Sequence, residues 1–295
     1  MSSGGTTGPG AAARRAAGRI DAAFARCREE GRAAFVPFLM AGDPDLAATG
    51  GLLRALTAGG ADLIELGVPF SDPIADGPVN QRAATRALAA GARLPAVLDL
   101  VAREREVLGD VPLVLYTYYN PIHARGAERF AEEAAAAGVD GVLCVDLPPE
   151  EAEERYTPAL RAHGIDTVFL LAPTSDRARI ARVAEASSGF VYYVARTGVT
   201  GERGALPPGL PRELRRVHRR VKLPVAVGFG ISSAAQVAEV GRLAEGVVVG
   251  SALVRLVEES ADDPDLPGLV EARVRELAAG LRDAPPRRRG LLGRR

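Results

Sequence analysis

Cysteine is scarce. Cys27 and Cys144 are the two in 295 residues, and neither sits in a CxxC or metal-ligand spacing. That excludes a disulfide framework. Histidine is equally sparse: His123, His163 and His218 are scattered, so no zinc site is legible. An excess of charge of either sign is missing too. There are 37 basic and 37 acidic side chains, which argues against a general nucleic-acid binder. No apolar stretch approaches the roughly 18 residues that a membrane helix needs. The opening MSSGGTTGPGAAARRAAG lacks the apolar core of a secretory signal. These absences predict a cytoplasmic protein, kept in a reducing compartment, with no metal, nucleic-acid or membrane partner.

What is present is an ordinary globular balance, 47% hydrophobic and 25% charged, enough to bury a full core. Residues 1–16 are mostly Gly, Ser, Thr and Ala and read as a disordered lead-in. Residues 284–295, APPRRRGLLGRR, read as a basic disordered tail. The span 17–283 is left as one catalytic domain, a length common for α/β barrels.

Within it, short apolar runs alternate with helical patterns. The runs are 33–40, 61–67, 111–116, 139–145, 165–171, 190–194, 223–228 and 245–250. They are near-continuous rather than alternating, as parallel strands covered by helices should be. Between them, Ile180, Val183 and Ala184 share one helical face, and Ser233-Ala-Ala-Gln236 reads as a capping box. Gly138 and Gly164 fall where a helix must end before a strand. Eight such units predict a (β/α)8 TIM barrel, with an extra helix at about 19–30 and extra helical segments near 93–109 and 265–282. A doubly wound sheet fits less well, because the first run ends in MAGDPD and has no GxGxxG.

The working residues of such a barrel lie at the C-terminal ends of its strands. Glu65, in the second run, is flanked by Ile64 and Leu66. If those two point out to the helices, Glu65 points into the barrel mouth. Burial there raises a carboxyl pKa and suits it to proton transfer near neutral pH. A structural Glu paired with a cation is the alternative. The loop that follows, VPFSDPIADGP, carries Asp72 and Asp76 between prolines and is stiff and apolar. It reads as a lid or a partner-facing surface, with turn capping as the plain alternative for each Asp. VGFGISS (227–233) and VVVGSALV (247–254) put glycines where the seventh and eighth strands meet their helices, the places where barrels bind phosphate. ARTGVTGERG (195–204) reads as a mobile loop that closes over a ligand.

Taken together, these segments resemble one family, the α subunit of tryptophan synthase. LIELGVPFSDPIADGPVNQ matches its most characteristic segment, with Ile74 where Leu is commoner. FVPFLMAGDPD, YTYYNPI, GVDGVLCVDLP, FLLAPTS, VARTGVTG, VGFGIS and VVVGSALV match in the same order, over about residues 18–280. The resemblance implies retro-aldol cleavage of indole-3-glycerol phosphate to indole and glyceraldehyde 3-phosphate. It makes Glu65 the acid–base catalyst and Asp76 the second catalytic carboxylate. Tyr192 would lie in the active site, and Thr200, Gly201, Gly230, Gly250 and Ser251 would bind substrate, largely at its phosphate. Phe38 and Tyr116 would line the pocket.

The resemblance further implies that no metal or organic cofactor is required. It implies a pyridoxal-phosphate-bearing β subunit as partner in an α2β2 heterotetramer, met by Pro69, Phe70, Asp72 and Asn120, with indole passed on through a tunnel. The tyrosines Tyr116, Tyr118 and Tyr119 beside Asn120 read as interface anchors or as pocket lining. Two other readings stay open: a free-standing indole-3-glycerol phosphate lyase, and a non-catalytic phosphate-binding barrel that only activates a partner.

Overall fold

The computed structural model describes residues 18–195 and 206–282. The described residues form nine strands, all parallel: β1 (Ala34–Met40), β2 (Ile64–Gly67), β3 (Leu113–Thr117), β4 (Gly141–Cys144), β5 (Asp166–Val168), β6 (Leu170–Leu171), β7 (Val191–Val194), β8 (Val225–Gly228) and β9 (Gly246–Val249). Their order is β5-β4-β3-β2-β1-β9-β8-β7-β6. The eight expected runs appear as nine strands because the fifth is interrupted at Phe169. Its first half pairs with β4 and its second with β7, and Phe169 accepts from the Tyr192 N–H. The two ends of the sheet are therefore one run of chain, and the barrel closes through it.

The strands are buried on both faces, which is why their sequences show little alternation. Their side chains still alternate in destination. Ile64 and Leu66 pack outward in the layer between strands and helices. Leu63, Val114, Leu143, Val168, Ala226 and Val248 fill the barrel interior. One step of two residues further along each strand lies the next inward layer, which includes Phe38, Glu65, Tyr116, Leu170 and Tyr192. Below the interior, the extra helix Arg19–Glu29 brings Ile20, Phe24 and Cys27 against the same cluster and closes the N-terminal end of the barrel.

The other expected helices form as Leu94–Leu108 and Leu266–Arg282, each with its apolar face buried. Arg177–Ala186 buries Ile180, Val183 and Ala186, with Ala184 only half-buried. Gly138 ends its helix in the left-handed region at φ 84°, and Gly164 follows its helix at φ 75°. Asp43, Arg86 and Glu258 tie the top of the barrel together. Arg86 bonds both carboxylate oxygens of buried Asp43 at 2.8 Å and reaches Glu258 at 2.7 Å. This joins the loop after β1, the helix Pro78–Ala89 and the helix Ser251–Glu259. Among the described residues no helix is long and apolar enough to cross a membrane.

Candidate active site

A cavity of about 410 Å³ opens at the C-terminal end of the barrel. One part of its lining is aromatic and aliphatic: Phe38, Tyr116, Val145, Leu170 and Tyr192. Another part is Gly228, Gly230, Gly250 and Ser251, with Arg255 beside them. Glu65 and Asp76 both line it.

Glu65 is 1% exposed, and its Oε1 has no hydrogen-bond partner among the described residues. Its register neighbours are Phe38 on β1 and Val114 on β3. Burial pushes its carboxyl up to about 8, with no compensating group among the described residues. Among the described residues no cation pairs with Glu65, and burial favours its neutral form.

Asp76 sits in a contrasting environment. Burial raises its pKa as well, but Tyr118, Tyr116 and Asn80 work against that by favouring the anion. The Tyr116 hydroxyl donates to Oδ1 at 3.1 Å and the Tyr118 hydroxyl to Oδ2 at 2.9 Å. Two carboxyls share one cavity, and the environment favours the proton on the one without donors.

The loop that carries Asp76 is stiff, as its prolines predicted. Pro69 is buried and Phe70 is half-buried, stacked on Tyr118 at 5.0 Å between ring centroids. The Ala75 N–H donates to the Tyr118 hydroxyl at 3.0 Å, and the Gln81 side chain donates to the Asp76 carbonyl at 2.9 Å. Asp72 is exposed and accepts from Ser71 at 2.5 Å. Ile74 is 86% exposed at the tip of this loop. Asn120 is exposed in the short helix Tyr119–Arg125.

The two glycine-rich turns differ from each other. Ser233 caps the helix Ala234–Gly241 in the expected box, and Gln236 Oε1 accepts from the Ser232 and Ser233 N–H groups at 2.8 and 3.2 Å. Those N–H groups are spent inside the turn. Gly230 stands ahead of them at φ 74°, a conformation that disfavours any side chain. The helix Ser251–Glu259 has no such box, since Gly250 is its N-cap and offers no side-chain acceptor. The Leu253 N–H turns back to the Gly250 carbonyl at 2.8 Å, while Gly250 and Ser251 at the positive end of the helix line the cavity.

Tyr192 lies across from these groups on β7. A Cβ at Gly228 would come within 2.4 Å of its hydroxyl, so Gly228 makes room for that ring. Burial, then the charges of Glu65 and Asp76, push the Tyr192 phenol well up, which keeps it protonated.

Thr200 and Gly201, together with the loop segment 196–205, lie outside the described residues. Among the expected residues, Glu65, Asp76, Tyr192, Gly230, Gly250 and Ser251 come together in the cavity, and Pro69, Phe70, Asp72 and Asn120 do not line it. The sequence reading left the place of Tyr118 open and passed over Arg255. Tyr118 is 2% exposed and bonds Asp76 instead of presenting its ring outward. Arg255 stands one helical turn after Ser251, and that i,i+4 spacing was the available signal. Among the described residues no group of three His, Cys, Asp or Glu could hold a metal ion.

A closed (β/α)8 barrel with two carboxyls in the cavity at the C-terminal end of its strands has the layout of a TIM-barrel enzyme. Comparison with known proteins supplies the particular kind. The tryptophan synthase alpha chain family matches residues 24–282. The alpha chain of Geobacter sulfurreducens is 55% identical over 240 residues, covering 81% of this chain and 90% of that one. That of Solibacter usitatus is 52% identical over 262 residues, covering 89% and 97%. Among solved structures, tryptophan synthase of Mycobacterium tuberculosis superposes with a TM-score of 0.82 at 40% identity, covering 90% of this chain and 99% of that one. The alpha subunit from Legionella pneumophila superposes with a TM-score of 0.84 at 35% identity, covering 90% and 99%. This chain belongs to the tryptophan synthase alpha chain family, lyases of tryptophan biosynthesis.

Proposed function

We propose that the chain cleaves indole-3-glycerol phosphate with Glu65 as the acid and Asp76 as the anion that steadies the indole ring. The observation that carries this is the contrast between the two carboxyls in one cavity. Glu65 has a pKa raised to about 8 and an Oε1 without a donor, whereas Asp76 takes a phenol hydroxyl on each oxygen.

The bond from indole C3 to the glycerol chain breaks only once C3 is protonated. A neutral Glu65 supplies that proton. The ring then carries positive charge toward its N–H, where the Asp76 carboxylate accepts a hydrogen bond and stabilises it. As the bond breaks, its electron pair returns to the ring. The hydroxyl on the departing carbon gives up a proton and becomes the aldehyde of glyceraldehyde 3-phosphate. One proton is added and one released, so the reaction needs no other reactant. Glu65, left as a carboxylate, is one acceptor for the released proton.

The substrate fits the lining. The aromatic part of the cavity, with Phe38, Tyr116 and Tyr192, suits the flat indole. The phosphate goes to Gly230, Gly250 and Ser251, where backbone N–H groups and the helix end favour an anion. Thr200 and Gly201, on the loop after β7, complete this end in the proposal. The β subunit receives indole in an α2β2 assembly, docking on the side of Asp72, Phe70 and Asn120, with Pro69 packed beneath them.

Indole release by the purified chain, alone and with a tryptophan synthase β subunit, tests the reading. Slow turnover that rises strongly with the partner is expected. Fast turnover that ignores the partner would make the chain a free-standing lyase. Absence of turnover in both cases would overturn the assignment.

A further inference from the structure

The two phenols that bond Asp76 come from different settings. Tyr118 belongs to the loop as much as to the site. It stacks on Phe70, and its hydroxyl accepts from the Ala75 N–H while donating to Asp76. Its removal would disturb the backbone that carries Asp76. Tyr116 stands on the barrel wall instead. It is an inward residue of β3, two places on from Val114, and it pairs with Gly67 of β2. Its ring lies edge-on to Phe38 at 5.3 Å between centroids and an interplanar angle of 73°. Its hydroxyl reaches Asp76 Oδ1 at 3.1 Å across a gap of 40 residues in sequence.

We propose that Tyr116 is a positioning residue for the cleavage reaction. Its hydroxyl fixes the orientation of the Asp76 carboxylate and favours its ionised form, so that the remaining lone pairs are aimed at the indole N–H. This rests on the role given above to Asp76. A carboxylate on a loop can rotate about its side-chain bonds, and one bond to each oxygen removes that freedom. The rigid strand supplies one of the two and the loop supplies the other.

The groups that face Asp76 are Tyr116 and Tyr118 from β3 and its end, Glu65 from β2, Tyr192 from β7, Asn80 from the helix Pro78–Ala89, and Arg255 from the helix Ser251–Glu259. Burial holds the Glu65 carboxyl up to about 8, and the Tyr192 phenol stays protonated. The charge on Asp76 is then set chiefly by burial against its hydrogen-bond donors. The Tyr116 phenol is itself held well above its usual range by burial first and by Asp76 second, so it stays a donor throughout.

Tyr116→Phe keeps the ring and removes the hydroxyl. The direct readout is the titration of the Asp76 carboxyl carbon by 13C NMR in the full chain without substrate, assigned by its loss in Asp76→Asn. The midpoint should rise by about one pH unit in Tyr116→Phe, as expected when a donor to the charged form is lost. A 3-fluorotyrosine installed at position 116 keeps the bond and makes a stronger donor, and it should move the midpoint the other way. That arm still tests the idea if the Phe variant folds poorly. In indole release, kcat of Tyr116→Phe should fall roughly tenfold with little change in KM, as for loss of a hydrogen bond to a charged group. Its acidic limb should follow the Asp76 midpoint upward.

An Asp76 titration unmoved by either change would overturn the proposal, whatever the turnover. A titration that moves in a chain that cleaves no indole-3-glycerol phosphate would uphold the positioning and refute the catalytic reading instead.

Discussion

Replacing Glu65 by Gln should stabilise this protein, and by an amount that grows with pH. Glu65 is a carboxyl with an ordinary value of 4.5, raised by burial to about 8 in the fold. The folded state therefore holds a proton that the unfolded chain has released over this window. Stability must fall as pH climbs from the unfolded value toward the folded one. Each unit corresponds to about 1.4 kcal/mol, so ionisation of the unfolded Glu65 works against the fold by about 3 kcal/mol at pH 7 and by roughly 4–5 kcal/mol at pH 8 and above. Gln has nearly the same shape and no proton to lose. Urea unfolding of both proteins at pH 5 and pH 8, extrapolated to water, isolates the effect, because the other titrating groups are common to both. Wild type should lose about 3–4 kcal/mol more than Glu65→Gln between the two pH values. Parallel losses would refute the buried neutral carboxyl, and with it the argument that Glu65 is an acid near neutrality.

Other consequences can be checked separately. Gly230→Val should weaken phosphorylated ligands at least tenfold more than indole, since Gly230 has φ 74° beside the cavity. Equal weakening of both, read by calorimetry, would point to general damage. Gly228→Ala should push Tyr192 from its place, because the new Cβ would lie 2.4 Å from the hydroxyl. We expect about 1–3 kcal/mol of lost stability together with weaker substrate binding. Arg86→Met leaves buried Asp43 without its bidentate partner and should cost about 3 kcal/mol or more in urea unfolding. A loss below 1 kcal/mol would mean that this tie across the top of the barrel holds little.

Much of the barrel was legible because strands covered on both faces must be apolar throughout, and the helices between them must show one apolar stripe. The placement of Glu65 was legible from its neighbours Ile64 and Leu66 alone, through strand alternation. The interruption at Phe169 was not, because IDTVFLL reads as one unbroken run. It depends on the stagger needed to close the sheet, which no local segment carries. The tyrosines of YTYYNPI show a second limit. Alternation assigns Tyr116 inward, but β3 ends at Thr117 and the chain turns, so Tyr118 points in as well. Once a strand ends, its period of two no longer predicts a side chain. Pro69 was read as part of a surface loop because proline marks turns, yet it is buried.

The central claim is that Glu65 delivers the proton that breaks the carbon–carbon bond. Rapid-quench measurement of indole release from saturating indole-3-glycerol phosphate, by wild type and by Glu65→Gln with the β subunit present, tests it most directly. Binding is followed in parallel by calorimetry with a non-cleavable indole propyl phosphate. Binding should stay within a few-fold of wild type and indole release should fall by a factor of at least about 10³, since the donor is gone and the cavity is not. Release at the wild-type rate from Glu65→Gln would contradict it.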